Sequence, residues 1–189
     1  MQEQTIKLEK FSEQIDEESF AQIYDTFITV IYQFIYYKTY HRETAEDLTS
    51  QTFLKALEKL HRFNPQKGSM ATWLYQIARN LVIDHYRTKK HTLSIHDIWD
   101  LAGTHNVEID LENKEQLQMV QAVLKALPMN QRDIIIMRVW QELPYKEIAE
   151  IMGKSEASCK MLFSRTIAYL RENMSIAVVL LIYLLRKPL

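Results

Sequence analysis

Apolar residues recur at helical spacing in the first third of the chain. Positions 20, 23, 24, 27, 28, 31, 34 and 35 are apolar, and this three-and-four spacing places them on one face of a long helix. A second helix is predicted to begin near Thr44, with Glu46 and Asp47 in its first turn, where the helix dipole favours negative charge. The residues predicted to be buried on this second helix are Phe53, Ala56, Leu57 and Leu60.

An F-N-P-x-x-G loop over residues 63–68 interrupts this pattern, because Asn, Pro and Gly favour turns. A third helix is predicted from about Ser69 or Thr72 to Lys90. The residues predicted to be buried on it are Leu74, Ile77, Ala78, Leu81 and His85. With Gly 3 and Pro 4 in 189 residues, the chain is poor in residues that punctuate strands, so an all-α protein is predicted.

The second half of the chain has a different organisation. Residues 91–113 are acidic and show no sustained period, which is typical of a linker, and helical pattern resumes near Lys114 and again at about 130–140. Residues 143–172 have the layout of a helix-turn-helix, with Pro144 near the first helical turn, Gly153 in the turn and Ser155 at the next N-cap. The predicted units are an amino-terminal extension (1–19), a helical domain (20–90), a linker (91–113), a helix-turn-helix domain (114–172) and an apolar tail (173–189).

The cysteine content and the amino-terminal sequence indicate the compartment in which the protein works. A single cysteine, Cys159, excludes an internal disulfide framework and a multi-cysteine zinc site, and a reducing cytoplasm is predicted. Cys159 falls on the apolar stripe of the second helix-turn-helix helix, which predicts a small core residue. The amino terminus lacks the basic start and apolar run of a signal peptide. No cofactor and no metal site are predicted.

Charge is uneven, although the net charge is only −1. Residues 1–30 carry 2 basic and 7 acidic side chains, whereas residues 61–90 carry 6 basic and 1 acidic. The basic block coincides with aromatic residues, and because rings stack on unpaired bases while cations hold the backbone, it predicts a surface for separated DNA strands. Trp73 has the alternative of a buried core position. The candidates are Phe63, Asn64, Lys67, Trp73, Gln76, Arg79, Asn80 and Arg87.

The helix-turn-helix predicts contact with duplex DNA. In this motif the front of the second helix reaches base edges in the major groove. Lys160 and Arg165 are the foremost candidates for base contact, while Lys146 and Lys154 are predicted to meet phosphates. The other candidates on this face are Glu156, Ser158, Met161 and Ser164. The alternative is an ordinary helical hairpin with a solvated face.

Two motifs in a fixed order carry a family resemblance. AEDLTSQTFLKALEKL, the F-N-P-x-x-G loop and TWLYQIARNLVIDHYR come first, and LPxxQRDIIIMRVWQELPYKEIAEIMGKSEASCKMLFSRTIAYLRE follows the linker. Over about residues 20–172, the chain resembles an extracytoplasmic-function (group 4) sigma factor of bacterial RNA polymerase. Residues 20–90 resemble sigma region 2 and residues 114–172 resemble region 4, with the linker in place of region 3.

The resemblance implies a non-catalytic transcription initiation factor whose partners are core RNA polymerase and promoter DNA. Region 2 would melt the minus-ten element and hold a flipped non-template base, and region 4 would read the minus-thirty-five element as duplex and touch the polymerase flap. The residues that would dock on the clamp helices of the largest polymerase subunit are Glu46, Asp47, Gln51 and Lys55. Members of the family are commonly held inactive by an anti-sigma factor, often membrane-bound.

The sequence departs from the family pattern at three positions. A basic residue is common where Gln76 stands, an Arg where Leu162 stands and a small polar residue where Met161 stands. Promoter sequence therefore cannot be copied from relatives. The apolar run 176–185 is also outside the pattern, and it is too short to span a bilayer, which needs about 17–25 residues. It has three interpretations: a packed helix, a surface that contacts a protein or membrane, or a mobile tail.

Two other classes compete with the sigma factor. A helix-turn-helix regulator would explain residues 143–172 but would leave the acidic second helix and the basic, aromatic block without a role. A di-iron helical bundle is suggested by the E-x-x-H spacing of Glu58 and His61, but such a site needs a second copy from a facing helix, and the sequence has none.

Overall fold

The computed structural model describes residues 17–92 and 122–173, and every regular element in those two ranges is helical. The helices of the first range are α1 (Glu17–Thr39), α2 (Arg42–Lys59) and α3 (Met70–Thr92), with a 3₁₀ turn at Leu60–Arg62. In the second range, residues 122–126 are helical and are followed by α4 (Met129–Ile135), a π-helical turn (Ile136–Trp140), α5 (Tyr145–Met152) and α6 (Glu156–Asn173). The all-α prediction with a carboxy-terminal helix-turn-helix is confirmed.

Helices α1, α2 and α3 form an amino-terminal bundle around a shared apolar core. Ile31, Phe34 and Ile35 of α1 are fully buried, which confirms the predicted apolar face. Tyr24, nearer the amino-terminal end of the helix, is 42% exposed. The ring of Phe34 meets the edge of Tyr75 on α3, with ring centroids 5.1 Å apart. Such packing of one apolar stripe per helix is what makes a three-helix unit stable in water.

The buried face of α2 is rotated relative to the prediction. Leu57 was predicted to be buried but is 48% exposed, whereas Thr49 and Thr52 are buried. The two threonine hydroxyls donate to the carbonyl oxygens four residues earlier, at 2.6 and 2.7 Å, so they enter the core without unsatisfied polar atoms. Because residues advance by about 100° along a helix, centring the buried face toward the threonines turns Leu57 outward.

Polar caps fix the starts of α2 and α3. The Nδ1 atom of His41 accepts from the backbone N–H of Thr44 at 3.2 Å, so α2 begins at Arg42, two residues before the predicted start. The hydroxyl of Ser69 accepts from the backbone N–H of Thr72 at 3.1 Å, which starts α3 at Met70. On α3, Ile77 and His85 are half-buried rather than buried as predicted.

The carboxy-terminal domain contains the predicted helix-turn-helix. Helix α5 ends at Met152 and is capped by Gly153, whose φ of +64° is the left-handed conformation that glycine adopts without strain. The hydroxyl of Ser155 then accepts from the N–H of Ser158 at 3.2 Å, as expected for an N-cap. On α6, Cys159, Thr166, Ile167 and Leu170 are buried, and Leu162 and Phe163 are half-buried. The predicted core position of Cys159 is therefore confirmed.

The two domains pack against each other. Helix α3 contacts α5, and α1 contacts the π-helical turn. The rings of Tyr37 and Trp140 stack across this interface with centroids 5.2 Å apart. The hydroxyl of Tyr75 donates to Oε1 of Gln141 at 2.8 Å, and burial raises the pKa of this phenol. The sequence did not predict this contact between the domains.

Within the described ranges, no helix is both long and apolar enough to cross a membrane, and no cluster of three or more His, Cys, Asp or Glu is arranged to hold a metal. Residues 1–16 of the predicted extension 1–19, residues 93–113 of the predicted linker, the predicted helical start near Lys114 and the apolar run 176–185 lie outside the described residues.

Candidate nucleic-acid interface

A cavity of about 350 Å³ lies where loop 63–69 meets the first turns of α3. Its walls include five residues that the sequence predicted for the minus-ten strand: Phe63, Asn64, Lys67, Trp73 and Gln76. The other lining residues are Arg62, Gly68, Ser69, Thr72 and, from the other domain, Glu150. Arg62 was not among the predicted residues, although it lies in the basic block, and Glu150 could not be predicted because it is distant in sequence.

The loop that forms the mouth of the cavity is held by its own polar groups. The side-chain oxygen of Asn64 accepts from the N–H of Gln66 at 2.9 Å, and the N–H of Lys67 donates to the carbonyl of Asn64 at 3.0 Å. This local turn follows from the Asn-Pro sequence, since Asn side chains mimic a backbone turn. Loop residues that bear candidate contacts are thereby presented on a defined backbone.

Phe63 and Trp73 form the aromatic wall of the cavity, with ring centroids 5.4 Å apart and planes inclined by 46°. Both side chains are half-buried and pack on the core while keeping part of each ring accessible. Trp73 is therefore neither a fully buried core residue nor a free surface ring. A ring held in this way offers a π-face at little entropic cost, which suits stacking of a base.

The remaining candidates on α3 are divided between two environments. Gln76 and Arg79 are bound to the carboxy-terminal domain: Gln76 Nε2 donates to the carbonyl oxygen of Glu150 at 3.0 Å, and Arg79 Nε donates to Oδ2 of Asp133 at 2.9 Å. Asn80 and Arg87 are exposed, and Arg87 pairs with Asp84 one turn earlier at 3.1 Å. Asn80 and Arg87 are not among the residues that line the cavity.

The predicted polymerase-binding residues lie on the outer face of α2. Glu46, Asp47 and Gln51 are exposed and Lys55 is half-buried, while Glu46 is paired with Arg42 at 2.8 Å. Leu54 and Leu57, at 58% and 48% exposure, lie on the same helix and were not included in the predicted contact set. The charged side chains beside these two leucines and the exposed apolar surface together give this face a mixed polar and apolar character.

All eight residues predicted to contact the minus-thirty-five element are exposed. On the front of α6, Lys160 pairs with Glu156 at 2.8 Å, and its Nζ lies 5.8 Å from the ring of Tyr145. Arg165 and Met161 lie farther along the same helix, with Met161 49% exposed. Lys146 and Lys154 flank this face from α5 and the turn. The exposed face of α6 thus combines polar and charged side chains with the apolar side chain of Met161.

Family models match both domains. The model described as Sigma-70 region 2 matches residues 23–92, and the model described as Sigma-70, region 4 matches residues 117–170. The sigma factor SigM of Bacillus subtilis is 32% identical over 147 residues, which are 76% of this chain and 88% of SigM. The sigma factor BldN of Streptomyces coelicolor is 33% identical over 157 residues, which are 80% of this chain but only 59% of BldN.

A solved structure of the sigma factor RpoE from Bartonella quintana, in complex with the anti-sigma factor NepR, has the same fold with a TM-score of 0.64. The match covers 82% of this chain and 96% of that one at 22% sequence identity. The chain belongs to the extracytoplasmic-function group of the sigma-70 family. It is a promoter-specific sigma factor that directs RNA polymerase, and core polymerase and promoter DNA are its partners.

Proposed function

We propose that the cavity bounded by Phe63 and Trp73 receives an unstacked base of the opened minus-ten element. Its volume of about 350 Å³ is near the lower end of small-ligand pockets, which measure about 300–1,000 Å³. One aromatic wall and two cations, Arg62 and Lys67, provide a stacking surface beside phosphate-binding groups. This combination of rings and cations in one concave site is the observation that carries the proposal.

The energetics are consistent with a division of roles. Extruding a base costs a few kcal/mol, and stacking on an aromatic side chain returns about 1–3 kcal/mol per base. One cavity therefore does not open a promoter without further contacts. We assign these to α6, which reads the minus-thirty-five element as duplex, and to the outer face of α2, which docks on the clamp helices of the largest polymerase subunit. Both DNA contacts then act on one scaffold, which raises their effective concentration.

The decisive experiment is run-off transcription with core RNA polymerase and the purified chain over a library of candidate promoters. Permanganate reactivity of unpaired thymines reports strand opening in the same reactions. We expect transcripts and reactive thymines at a shared set of promoters only when both proteins are present. A helix-turn-helix regulator that never melts DNA would instead retain duplex binding without any reactive thymine, and that result would refute the proposal.

We also propose that an anti-sigma factor regulates this chain in the cytoplasm. The fold shared with RpoE of Bartonella quintana, which was solved with the anti-sigma factor NepR, is consistent with this proposal. The test is to isolate complexes of the tagged chain from its host and add each purified partner to the run-off assay. A genuine anti-sigma factor abolishes transcription that depends on this chain and leaves transcription by the housekeeping sigma factor intact.

A further inference from the structure

The outward face of α6 carries one large apolar side chain among small and polar ones. Met161 is 49% exposed, and it is not among the apolar side chains that pack on the core of the described residues. Its neighbours one turn away on the same helix, Ala157 and Ser164, are small and exposed, so they leave the methionine uncovered. The packing of the domain therefore does not require a methionine at this position.

Helix geometry directs Met161 away from the domain. Cys159 and Leu170 are fully buried and mark the inner face of α6. Because each residue turns the helix by about 100°, Met161, two residues after Cys159, lies about 160° from it around the helix axis. Ala168, which is also exposed, follows on the same outward line two turns later. The small residues on this line allow α6 to come close to a groove floor, and Met161 protrudes from it.

Cations flank the outward line on both sides. Lys160 lies next to Met161, with its Nζ 2.8 Å from Glu156 Oε1 and 5.8 Å from the centre of the Tyr145 ring. Arg165 is exposed one turn further along, on the other side of the line. Positive charge on both sides favours insertion of the helix into a groove of the polyanionic duplex. Met161 then lies between the two cations and faces the base edges.

A methionine in this place has one favourable partner in duplex DNA. Its side chain is apolar, and its sulfur is only a weak hydrogen-bond acceptor. In the major groove the base pairs present hydrogen-bonding groups, and the C5-methyl of thymine is the apolar group that unmodified DNA offers there. Opposite a donor or acceptor, the methionine would displace water and give that polar group no partner in return. Met161 therefore favours thymine over the other bases.

We propose that Met161 reads a thymine of the minus-thirty-five element through the C5-methyl group and so determines specificity at that position. This inference rests on the proposed function, because it concerns the face of α6 that reads duplex DNA. The contact adds to the hydrogen bonds of the flanking cations, since a methyl group and a hydrogen-bonding edge on neighbouring base pairs are recognised by different side chains.

The test uses the holoenzyme that the full-length chain forms with core polymerase, at a temperature that keeps the promoter closed. The promoter library first gives a preferred minus-thirty-five element. Each thymine of that element, on either strand, is then replaced singly by deoxyuridine, which lacks only the C5-methyl, and fluorescence anisotropy measures binding. We expect one replacement to weaken binding about fourfold, the factor that corresponds to about 0.8 kcal/mol for one buried methyl group.

Variants of the chain assign this effect to Met161. Met161→Ala should bind the thymine and deoxyuridine fragments equally, whereas Met161→Leu, which keeps an apolar side chain, should retain most of the preference for thymine. Tyr169→Ala truncates another side chain of α6, which is 47% exposed, and should retain the whole preference. In the converse arm, 5-methylcytosine at the same position should bind the wild-type holoenzyme more tightly than cytosine does, and Met161→Ala should not distinguish the two.

Each outcome supports or overturns the inference. A loss of affinity that deoxyuridine causes in the wild-type holoenzyme and not in Met161→Ala supports it. The inference is overturned if no replacement weakens binding, if the preferred element has no thymine, or if the loss persists in Met161→Ala, which would assign the methyl contact to another residue. In these three cases the proposed function stands as long as the holoenzyme binds the preferred element more tightly than a scrambled one. Absence of that difference would overturn duplex reading by α6 and this inference together.

Discussion

The Nε atom of Arg79 lies 2.9 Å from Oδ2 of Asp133, which joins a residue predicted to hold opened DNA to the domain that reads duplex DNA. Lys38 approaches the other oxygen of the same carboxylate, so one acid of the carboxy-terminal domain neutralises two cations of the amino-terminal domain. A buried carboxylate is tolerated only when it is paired, and here both of its pairings cross the domain interface. The contact between the domains therefore neutralises both cations within the chain.

Asp133→Asn is expected to destabilise the packing of the two domains. Breaking a buried ion pair by removing one partner costs about 3–5 kcal/mol, because the remaining charges stay buried without compensation. The measurement is the thermal unfolding midpoint. Lys38→Met, and the double variant with Asp133→Asn, complete a mutant cycle. If the effects of the two single substitutions are simply additive, Lys38 and Asp133 do not stabilise the interface as a pair, and the prediction is contradicted.

Trp73→Ala is expected to leave polymerase binding intact and to impair open-complex formation. Loss of one stacking platform removes about 1–3 kcal/mol per base, roughly a 5- to 150-fold loss in the stability of the opened strand. Permanganate reactivity in the run-off assay measures the opened fraction.

Trp73→Phe is the matched control, because it keeps a ring against Phe63 and should retain most of the activity. Circular dichroism and thermal unfolding establish that both variants are folded. Unfolding of the domain by Trp73→Ala would show that this ring serves the core rather than the strand-opening face.

Local signals in the sequence were sufficient to predict the order and approximate bounds of the helices. The turn residues of loop 63–69 and the glycine at position 153 lie at helix boundaries in the structure. Sequence predicts them because the conformational preferences of Asn, Pro and Gly act within a few residues. The loop candidates and two of the third-helix candidates, Trp73 and Gln76, also proved to share one cavity, since the start of a helix and the loop before it are close in space. Whether those residues contact DNA stays a prediction.

The contact between domains could not be predicted in the same way. Lys38 and Asp133 are charged, and charged residues are ordinarily solvent-exposed, so periodicity assigns them to the surface. Their burial depends on a partner far along the chain, which no local pattern records. The misplacement of Leu57 has a related cause: hydrophobicity alone does not reveal that Thr49 and Thr52 can enter the core by bonding their own helix.

Leu57→Ala and Leu60→Ala are expected to impair different properties of the protein. Leu60→Ala should lower its stability, whereas Leu57→Ala should weaken its binding to polymerase. Leu60 is 7% exposed, so its truncation should cost about 2–5 kcal/mol in the free energy of unfolding. Leu57 is 48% exposed, so its truncation should cost about 0.5 kcal/mol or less and should instead weaken binding to core polymerase. Urea unfolding and competition with the housekeeping sigma factor measure the two effects. Unchanged polymerase binding by Leu57→Ala would exclude this leucine from the docking surface.

Gly153→Ala is expected to destabilise the carboxy-terminal domain by about 1–2 kcal/mol. A Cβ at this position would meet nothing within 4 Å, so the cost arises from the φ of +64° rather than from a clash. Gly153→Asn is the control, since Asn tolerates the left-handed conformation and should cost less. Chemical unfolding measures both variants. Equal destabilisation by Ala and Asn would show that backbone conformation is not the cause.

Arg165→Ala is expected to weaken upstream duplex recognition without changing the fold. An Arg that donates to a guanine in the major groove contributes about 1–3 kcal/mol of discrimination, so affinity for the preferred minus-thirty-five sequence should fall roughly 5- to 150-fold. Arg165 is exposed on α6, and Arg171, exposed near the end of the same helix, provides a matched control of equal charge. Fluorescence anisotropy on preferred and scrambled duplexes separates the two roles. If Arg165→Ala weakens binding to both duplexes equally, this residue contacts phosphate and does not read bases.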